Sequence, residues 1–428
     1  MNIMVKDVHS EEKGLAIVIS CFYQNEIEVF KEHLNELEQL AITAGFKIVG
    51  KQLFSIKKVD AAKYLTQGKL EQLKSMVISF EVGTIIFDND ISPSQQRNLE
   101  NFLKISVIDR EELILDIFSQ RALTLEAKMQ VELAKSKYMF PRLKRLWGHF
   151  SRQRAKGGFL KGEGEKQLEL DKRMLKNRIA VLTKKLKKVT DVRNTQRNIR
   201  KKTNVFSFSI VGYTNAGKSS LLNYLTNAKT LVEDKLFATL DPKTKKIIFP
   251  NKQEAIITDT VGLIRKLPHT LIAAFKSTLE ATLHSDVLIH VVDVSNSAAE
   301  EHVQTTYQLL EELKIINPLI ITVLNKIDLS LDFAIIQKLK SFCPFPIECS
   351  IKTGQGLEEL FLLMEKLASK NFKKLTLAFT CENYRLFTEL MKSGYVISHR
   401  YEGDILITDV SIPLNILYRY LPFEIKNN

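Results

Sequence analysis

The first 110 residues alternate short apolar runs with stretches whose apolar residues recur at helical spacing. The runs Leu15–Ser20, Thr84–Asp88 and Ile105–Asp109 are typical of buried strands, and the pattern of Glu26–Ala44 predicts a helix. Strands that alternate with helices are typical of βαβ units with a parallel sheet. The pattern therefore predicts an N-terminal α/β domain at residues 1–110.

Residues 111–202 follow a helical pattern and are predicted to form a linker. A break is predicted by Pro141 and by four glycines, Gly157, Gly158, Gly162 and Gly164. A second helix is expected over residues 165–200, where apolar residues recur every seven positions, at Leu168, Leu175, Leu182 and Val189. Two helices around a glycine-rich loop predict an antiparallel hairpin. A single long helix that packs elsewhere, with a disordered loop, is the alternative.

Two further segments complete the chain. Residues 203–369 contain four apolar runs separated by helical patterns, at 205–211, 255–259, 287–293 and 318–324. This alternation predicts a second α/β domain with a doubly wound sheet. Residues 370–428 show a strand, a short helix and two strands around Gly403, which predicts a small α+β domain. The expected fold class is therefore a multidomain α/β protein with a helical linker.

Positive charge is concentrated in the linker. The chain has 62 Lys and Arg residues against 49 Asp and Glu, a formal net charge of +13. Residues 142–202 hold 21 basic and 5 acidic residues, so this segment alone carries +16 and the remainder −3. A solvated helical face is also charged, but an excess of this size predicts a polyanionic partner, most simply RNA or DNA.

The remaining composition is that expected of a cytoplasmic protein. Its four cysteines form no C-x-x-C pair and are expected to be free thiols in a reducing compartment. Its apolar runs are far shorter than the roughly 20 residues of a membrane span. The charged N-terminus lacks the apolar core of a secretory signal. We expect a cytoplasmic protein and a monomer.

The strongest motif lies between a predicted strand and a predicted helix. The run G-Y-T-N-A-G-K-S fits the phosphate-binding pattern G-x-x-x-x-G-K-S, in which backbone N–H groups surround a phosphate at a helix N-terminus. Lys218 is predicted to reach the β- and γ-phosphates, and Ser219 to supply an oxygen ligand to Mg²⁺. The predicted phosphate-binding residues are Gly212, Tyr213, Thr214, Asn215, Ala216, Gly217, Lys218 and Ser219.

Two downstream segments are expected to sense the γ-phosphate. The first would offer Thr239 to Mg²⁺ and comprises Phe237, Ala238, Thr239, Leu240 and Asp241. The second would hold the Mg²⁺ shell through water on Asp259 and bond the γ-phosphate through the Gly262 N–H; it comprises Asp259, Thr260, Val261 and Gly262. Loss of the γ-phosphate would free both segments, so the predicted catalytic residues are Lys218, Thr239 and Gly262.

The tetrapeptide N-K-I-D predicts which base is bound. Asp328 can accept hydrogen bonds from the guanine N1–H and 2-amino group, and adenine presents no donor at either position. Lys326 can lie along the base plane, and Asn325 can join the base to the phosphate loop. The predicted base-binding residues are Asn325, Lys326, Ile327 and Asp328, together with Ser350, Ile351 and Lys352 near guanine O6. These motifs together predict a GTPase domain.

The run that begins at Asp259 is longer than nucleotide binding requires. It reads D-T-V-G-L-I-R-K-L-P-H-T-L-I-A-A-F-K-S-T-L-E and closely resembles the HflX family of translational GTPases. The phosphate loop, the F-A-T-L-D segment and the linker run K-G-E-G-E-K-Q-L-E-L-D-K-R also resemble that family. The resemblance covers about residues 14–370. The chain departs from the family pattern at Lys161, Glu163, Lys166, Leu263 and Ile351.

The resemblance implies a partner for the basic linker. Proteins of this family bind the large ribosomal subunit and can split ribosomes under stress, so ribosomal RNA would be the polyanion. Phosphate contacts near the tip of the linker hairpin, at residues 157–164, would give affinity with little base preference. The predicted RNA-binding residues are Arg152, Arg154, Lys156, Lys161 and Lys166.

Several hypotheses about mechanism follow from single residues. Leu263 stands where related enzymes orient water with a glutamine, so we expect slow intrinsic turnover that the ribosome stimulates. Asn215 either helps to hold a K⁺ ion beside the phosphates or only stabilises the loop. His269 is expected to serve the switch structurally rather than catalytically. The N-terminal domain is expected to contact RNA or a partner rather than a second nucleotide.

Three functions compete on this basis. The first is a GTPase that dissociates or remodels ribosomes. The second is a nucleotide-gated RNA-binding factor whose hydrolysis is incidental. The third is peripheral association of the basic helix with an acidic membrane surface, and it is the weakest because residues 165–200 contain no Trp or Phe for bilayer insertion.

Overall fold

The chain folds as two compact units. The computed structural model describes residues 13–23, 27–153, 161–202, 206–226, 236–237, 240, 242–251, 253–268, 271, 285–313, 315, 318–329, 333–370, 372–393, 395–414 and 416–425. Side chains at 28, 144–153, 161–168, 193–194 and 196–202 lie outside this description. Unit 1 comprises residues 1–191, 233–241 and 265–277, and unit 2 comprises residues 192–232, 242–264 and 278–428.

Unit 1 is built on a parallel sheet. Its strands are β1 (Leu15–Phe22), β2 (Lys47–Ser55), β3 (Thr84–Phe87) and β4 (Ser106–Asp109). Its first helices are α1 (Ile27–Thr43), α2 (Gln67–Ser79), α3 (Pro93–Leu103) and α4 (Arg110–Arg121). The strand order is β2-β1-β3-β4, and every pair is parallel. The predicted βαβ arrangement is therefore confirmed.

The linker forms two long helices, α5 (Leu125–Gln153) and α6 (Lys161–Lys202). The predicted break at Pro141 is wrong, because α5 continues through it. A proline inside a helix costs about 3 kcal/mol or more, and packing on either side outweighs it. Tyr138 and Arg142 are both buried, and both donate to the carboxylate of Asp109 at 3.0 Å.

The second linker helix begins earlier than predicted. α6 already contains Gly162 and Gly164, so these glycines do not break the linker. A helical glycine costs only about 1 kcal/mol relative to alanine, which a helix of this length tolerates. In the heptad stripe Leu182 is buried, and Arg178 pairs with Glu132 of α5 through two contacts of 2.5 and 2.9 Å. The antiparallel orientation of the two helices stays a prediction.

Unit 2 contains a six-stranded sheet with order β10-β9-β8-β5-β7-β6. Its strands are β5 (Phe206–Gly212), β6 (Lys243–Ile248), β7 (Glu254–Asp259), β8 (Val287–Asp293), β9 (Ile320–Asn325) and β10 (Pro346–Glu348). The described helices are α7 (Lys218–Thr226), α8 (Ala299–Glu312), α9 (Phe333–Phe342) and α10 (Leu357–Ser369). Only β6 among these strands pairs antiparallel, with β7. The four predicted strands are confirmed.

The C-terminal part of unit 2 is a small α+β layer. It contains β11 (Phe372–Phe379), α11 (Tyr384–Lys392), β12 (Val396–Glu402) and β13 (Ile405–Pro413). Short 3-10 turns cover Cys381–Asn383, Leu417–Arg419 and Leu421–Phe423. The antiparallel strand order β11-β13-β12 agrees with the predicted α+β class. Within the described part of the chain, no helix is long and apolar enough to cross a membrane.

Candidate nucleotide site

The loop between β5 and α7 has a backbone that few residues can adopt. Gly212, Asn215 and Gly217 all have positive φ, at 145°, 61° and 103°. A Cβ atom on Gly212 would lie 2.3 Å from the Val291 carbonyl oxygen, and one on Gly217 would lie 2.4 Å from Asn325 Nδ2. Both glycines are therefore required by the turn itself. The loop ends where α7 begins, so its N–H groups lie at a helix N-terminus.

Lys218 is the first residue of α7 and only 6% exposed. Its Nζ donates a hydrogen bond to the Tyr213 carbonyl oxygen at 2.6 Å. Burial lowers the pKa of Lys218 to about 8, although the nearby Asp259 carboxylate favours the charged form. The ammonium group also lies 3.2 Å from the position that a Cβ on Gly262 would take. A cation is thus held between the phosphate loop and the D-T-V-G segment.

Ser219 and Asp259 bring two hard oxygen atoms together. Asp259 is fully buried at the end of β7, which pairs with β5 in parallel. Ser219 Oγ donates to Asp259 Oδ2 at 2.6 Å. A hydroxyl beside a carboxylate suits Mg²⁺, which usually takes one or two protein ligands and completes its shell with phosphate and water. Among the described residues no three His, Cys, Asp or Glu side chains group as a metal site.

The D-T-V-G segment is bonded to the phosphate loop through the backbone. The Leu263 N–H donates to the Gly212 carbonyl oxygen at 3.0 Å, and the Thr214 N–H donates to the Leu263 carbonyl oxygen at 2.8 Å. A Cβ on Gly262 would lie 2.8 Å from Thr214 Cγ2, so glycine is needed for this close approach. Thr260 Oγ1 donates to the Ile210 carbonyl at 2.6 Å. The two motifs therefore form one bonded structure within unit 2.

The base motif reaches the same edge of the sheet. Asn325 Nδ2 donates to the Ala216 carbonyl at 2.8 Å, and Asn325 Oδ1 accepts from the Ile351 N–H at 3.1 Å. One buried side chain thus joins the phosphate loop to the 350–352 segment. Ser350 is buried and its Oγ accepts from the Thr353 N–H at 3.2 Å, whereas Asp328 is exposed. Ile327 is half-buried and Lys352 is exposed.

Three features of this site escaped the sequence reasoning. Lys326 pairs with Asp293 at the end of β8. His290 of the same strand is buried, and desolvation together with the Lys218 charge lowers its pKa to about 3, so it is a neutral imidazole. The ring of Tyr213 stacks on His302 of α8 with centroids 3.6 Å apart. The V-V-D run places a carboxylate at a strand end, and this was a sequence signal for Asp293. No sequence signal pointed to the buried His290 or to the stacking of Tyr213 on His302.

The first switch segment is described only in part. Phe237 and Leu240 are buried in unit 1, where Phe237 packs against Phe118 with ring centroids 4.7 Å apart. Phe237 has a positive φ of 57°. Four predicted residues of the switches lie outside the described residues: Ala238, Thr239, Asp241 and His269.

The predicted RNA contacts are also only partly described. Arg154, Lys156 and the glycines Gly157 and Gly158 lie outside the described residues. Arg152 belongs to α5, and Lys161 and Lys166 belong to α6, but their side chains are not described. The RNA interface therefore stays a prediction.

A largely buried charge cluster in unit 1 includes Arg265 and Lys266, which come shortly after the D-T-V-G segment in the chain. Asp88 accepts from Arg110 Nη1 and from Arg265 Nη2, each at 2.9 Å. Lys266 Nζ lies 3.5 Å from the same carboxylate, and Arg110 Nη2 donates to Glu36 at 2.5 Å and to the Arg265 carbonyl at 3.2 Å. Two carboxylates and three cations thus hold residues 265–266 within unit 1.

Family profiles match three successive regions of the chain, which together span most of residues 31–326. A GTP-binding GTPase N-terminal region matches residues 31–119, a GTP-binding GTPase middle region matches 121–200, and a 50S ribosome-binding GTPase domain matches 207–326. A solved GTP-binding protein from the archaeon Sulfolobus solfataricus, in complex with GDP, is 27% identical with a TM-score of 0.44 and covers 84% of this chain and 99% of that one.

Curated relatives extend over both units. GTPase HflX of Chlamydia pneumoniae is 50% identical over 407 residues, 94% of this chain and 86% of the relative. GTPase HflX of Caldanaerobacter subterraneus is 41% identical and covers 97% of this chain and 95% of the relative. GTPase HflX of Escherichia coli K12 is 38% identical and covers 87% of each chain. The chain therefore belongs to the HflX family of GTPases, and it is a GTP hydrolase.

Proposed function

We propose that this GTPase binds the large ribosomal subunit in the cytoplasm and uses GTP hydrolysis to dissociate or remodel ribosomes under stress. The proposal is supported by the 50S ribosome-binding description of the domain matched at residues 207–326 and by the basic linker. Ribosomal RNA would meet Lys and Arg side chains near the linker tip through phosphate contacts.

The observation that carries the nucleotide assignment is the convergence of three motifs on one sheet edge. The phosphates would lie in the loop at residues 212–219, with the Lys218 ammonium on the β- and γ-phosphates. Asp328 would accept from guanine N1–H and the 2-amino group, and Asn325 already joins the base segment to the loop. A guanine nucleotide fits this edge because donors for phosphate and acceptors for guanine stand at its two ends.

Magnesium fits the oxygen atoms at the loop. We assign Ser219 and Thr239 as ligands and Asp259 as a holder of the ion's water shell. When bound, Mg²⁺ neutralises charge on the β- and γ-phosphates. The Ser219 hydroxyl lies 2.6 Å from the Asp259 carboxylate, so the chain holds both oxygens at the position where the phosphate loop meets β7.

Hydrolysis is proposed to be slow until the ribosome is bound. Leu263 is 3% exposed and takes part in the backbone bridge to Tyr213, and its side chain has no atom that could orient a water molecule. Steady-state GTP turnover should therefore rise at least tenfold when large subunits are added. Turnover of several per second without ribosomes, with no increase on their addition, would contradict this step.

A single sedimentation experiment tests the proposed function. Wild-type protein should co-sediment with large ribosomal subunits in a nonhydrolysable GTP analogue and release them in GDP. Lys218→Ala should lose the nucleotide dependence, whereas Glu300→Ala, which removes an exposed ion pair between α8 and α9, should behave like wild type. Equal sedimentation in both nucleotides would refute the proposal.

Two alternatives from the sequence have their own tests. If the nonhydrolysable analogue supports ribosome splitting as fully as GTP, the protein is a nucleotide-gated RNA-binding factor with incidental hydrolysis. The K⁺ site at Asn215 stays a prediction; replacing KCl by NaCl at equal ionic strength should lower the rate of hydrolysis if the ion is used, and leave it unchanged if it is not.

A further inference from the structure

Asp293 stands next to the base motif although it belongs to a different strand. It is the last residue of β8 and is paired in the parallel register with Asn325, the last residue of β9. Its Oδ2 lies 2.6 Å from Lys326 Nζ, and the two side chains are only 17% and 27% exposed. The ends of β8 and β9 therefore join an acid to the lysine of N-K-I-D.

Both oxygens of this carboxylate are in use. Oδ1 accepts from the Ser295 N–H at 3.0 Å and from the Ser295 hydroxyl at 2.6 Å. The Val294 N–H donates to the Asn325 carbonyl at 3.0 Å, which fixes the backbone just beyond the acid. Asp293 is thus a rigid acceptor rather than a mobile surface charge.

Lys326 is fixed at its other end as well. Its φ of 67° lies in the left-handed region, which is uncommon for a residue with a side chain. The Lys326 carbonyl accepts from the Leu329 N–H at 3.0 Å, and the Ile327 N–H donates to the Cys349 carbonyl at 3.4 Å. With the backbone fixed at one end and Nζ at the other, the four-carbon stem has little freedom.

We propose that Asp293 is a positioning residue of the guanine pocket, which orders the Lys326 stem before nucleotide binds. The inference rests on the proposed function, in which that stem forms the wall along the base plane. A lysine that is free before binding loses rotamer entropy when the base arrives, and pre-ordering removes that loss. An ordinary exposed pair, such as Lys338 with Glu300 at 62% and 40% exposure, would have no such effect.

Nucleotide titrations of matched variants test the assignment. Asp293→Ala should bind GDP about tenfold more weakly than wild type, since the freed Lys326 stem would then lose its rotamer entropy when the base binds. Ser295→Ala should have a smaller effect, because its backbone N–H still supports the carboxylate. The control Glu300→Ala should stay within about twofold of wild type. In GTP hydrolysis by Asp293→Ala, KM should rise by a larger factor than kcat falls.

A double-variant cycle separates positioning from general structure. If Asp293 acts through Lys326, then Asp293→Ala should add no further loss of GDP affinity in a Lys326→Ala background. Independent, additive losses, or GDP binding by Asp293→Ala within twofold of wild type, would overturn the assignment. Failure of the wild-type protein to bind GDP would instead contradict the proposed function, so the two failures are distinct.

Discussion

Replacing Asp88 by alanine is expected to destabilise unit 1 strongly. The carboxylate is fully buried and lies within 2.9 Å of Arg110 and Arg265 and within 3.5 Å of Lys266. The variant would leave these cations with one fewer anion. Arg110 and Arg265 are buried, whereas the Lys266 side chain is 40% exposed. Glu36 remains as the ion-pair partner of Arg110 and Arg265, and Asp90 still attracts Lys266.

The loss of unfolding free energy in Asp88→Ala can be derived from the pKa of Asp88 and from the cost of breaking a buried ion pair. Burial alone would raise the pKa of Asp88, but Arg110, Arg265 and Lys266 hold it at about 2, below its ordinary 3.8. That shift corresponds to about 2 kcal/mol in favour of the folded state. Removing one partner of a buried ion pair costs about 3–5 kcal/mol. We therefore expect Asp88→Ala to lower the free energy of unfolding of unit 1 by about 2–5 kcal/mol.

The lowered pKa of Asp88 also makes its contribution to the stability of unit 1 depend on pH. Because the pKa of Asp88 is lower in the folded than in the unfolded chain, its contribution is complete above the ordinary value of 3.8. It is lost as the pH falls through about 2, where the folded carboxylate takes up its proton. Wild type and Asp88→Ala should thus converge in stability at the acid end.

Hydrogen exchange of peptides from β1 and β3 measures this effect within unit 1 alone. Asp116→Ala is the matched control, because Asp116 pairs with Lys13 and Lys135 at 3.1 and 3.0 Å but is 30% exposed. Its loss should cost less than about 1 kcal/mol. If both variants changed protection by the same small amount, the reasoning about the buried cluster would be refuted.

Three further predictions concern the nucleotide site. Gly217→Ala should weaken GDP binding about 100-fold, because its Cβ would lie 2.4 Å from Asn325 Nδ2 at a φ of 103°; unchanged calorimetric affinity would refute this. GTP affinity should fall up to about tenfold per pH unit above pH 8, because burial lowers the pKa of Lys218 to about 8 and only the ammonium form attracts phosphate. Calorimetry in two buffers should show that GTP binding is accompanied by proton uptake. A GTP affinity that does not change up to pH 10 would contradict this prediction. Asp328→Asn should prefer xanthine over guanine nucleotides about 100-fold, since an amide can donate to the xanthine C2 oxygen; competition titrations would show retained guanine preference if the assignment is wrong.

The sequence predicts those parts of the fold that depend on short-range patterns, namely glycine spacing in the phosphate loop and apolar runs in the strands. The loop at residues 212–219 requires glycines at fixed spacing, and those glycines are where positive φ and close approaches occur. The parallel strands of both units are recognisable in the sequence as apolar runs, because both faces of each sheet are buried. Asn325 was expected to join base and phosphate loop, and its side chain does bond Ala216.

Contacts distant in the chain were not predictable in the same way. Pro141 stays inside a helix because buried neighbours contact Asp109, and no local pattern records that packing. β6 was missed because its K-T-K-K-I-I run lacks an apolar pattern; lysines are typical of an edge strand, which they protect from unwanted pairing. The Asp88 cluster joins residues 177 positions apart, beyond the reach of any motif.

The central claim is that unit 2 selects guanine through the residues gathered at one edge of its sheet. Calorimetric titration of the wild-type protein with GTP and with ATP, both with Mg²⁺, tests it most directly. We predict that GTP binds at least about 100-fold more tightly than ATP, because adenine would leave the Asp328 carboxylate desolvated without its two donors. Equal affinity for the two nucleotides would contradict the account.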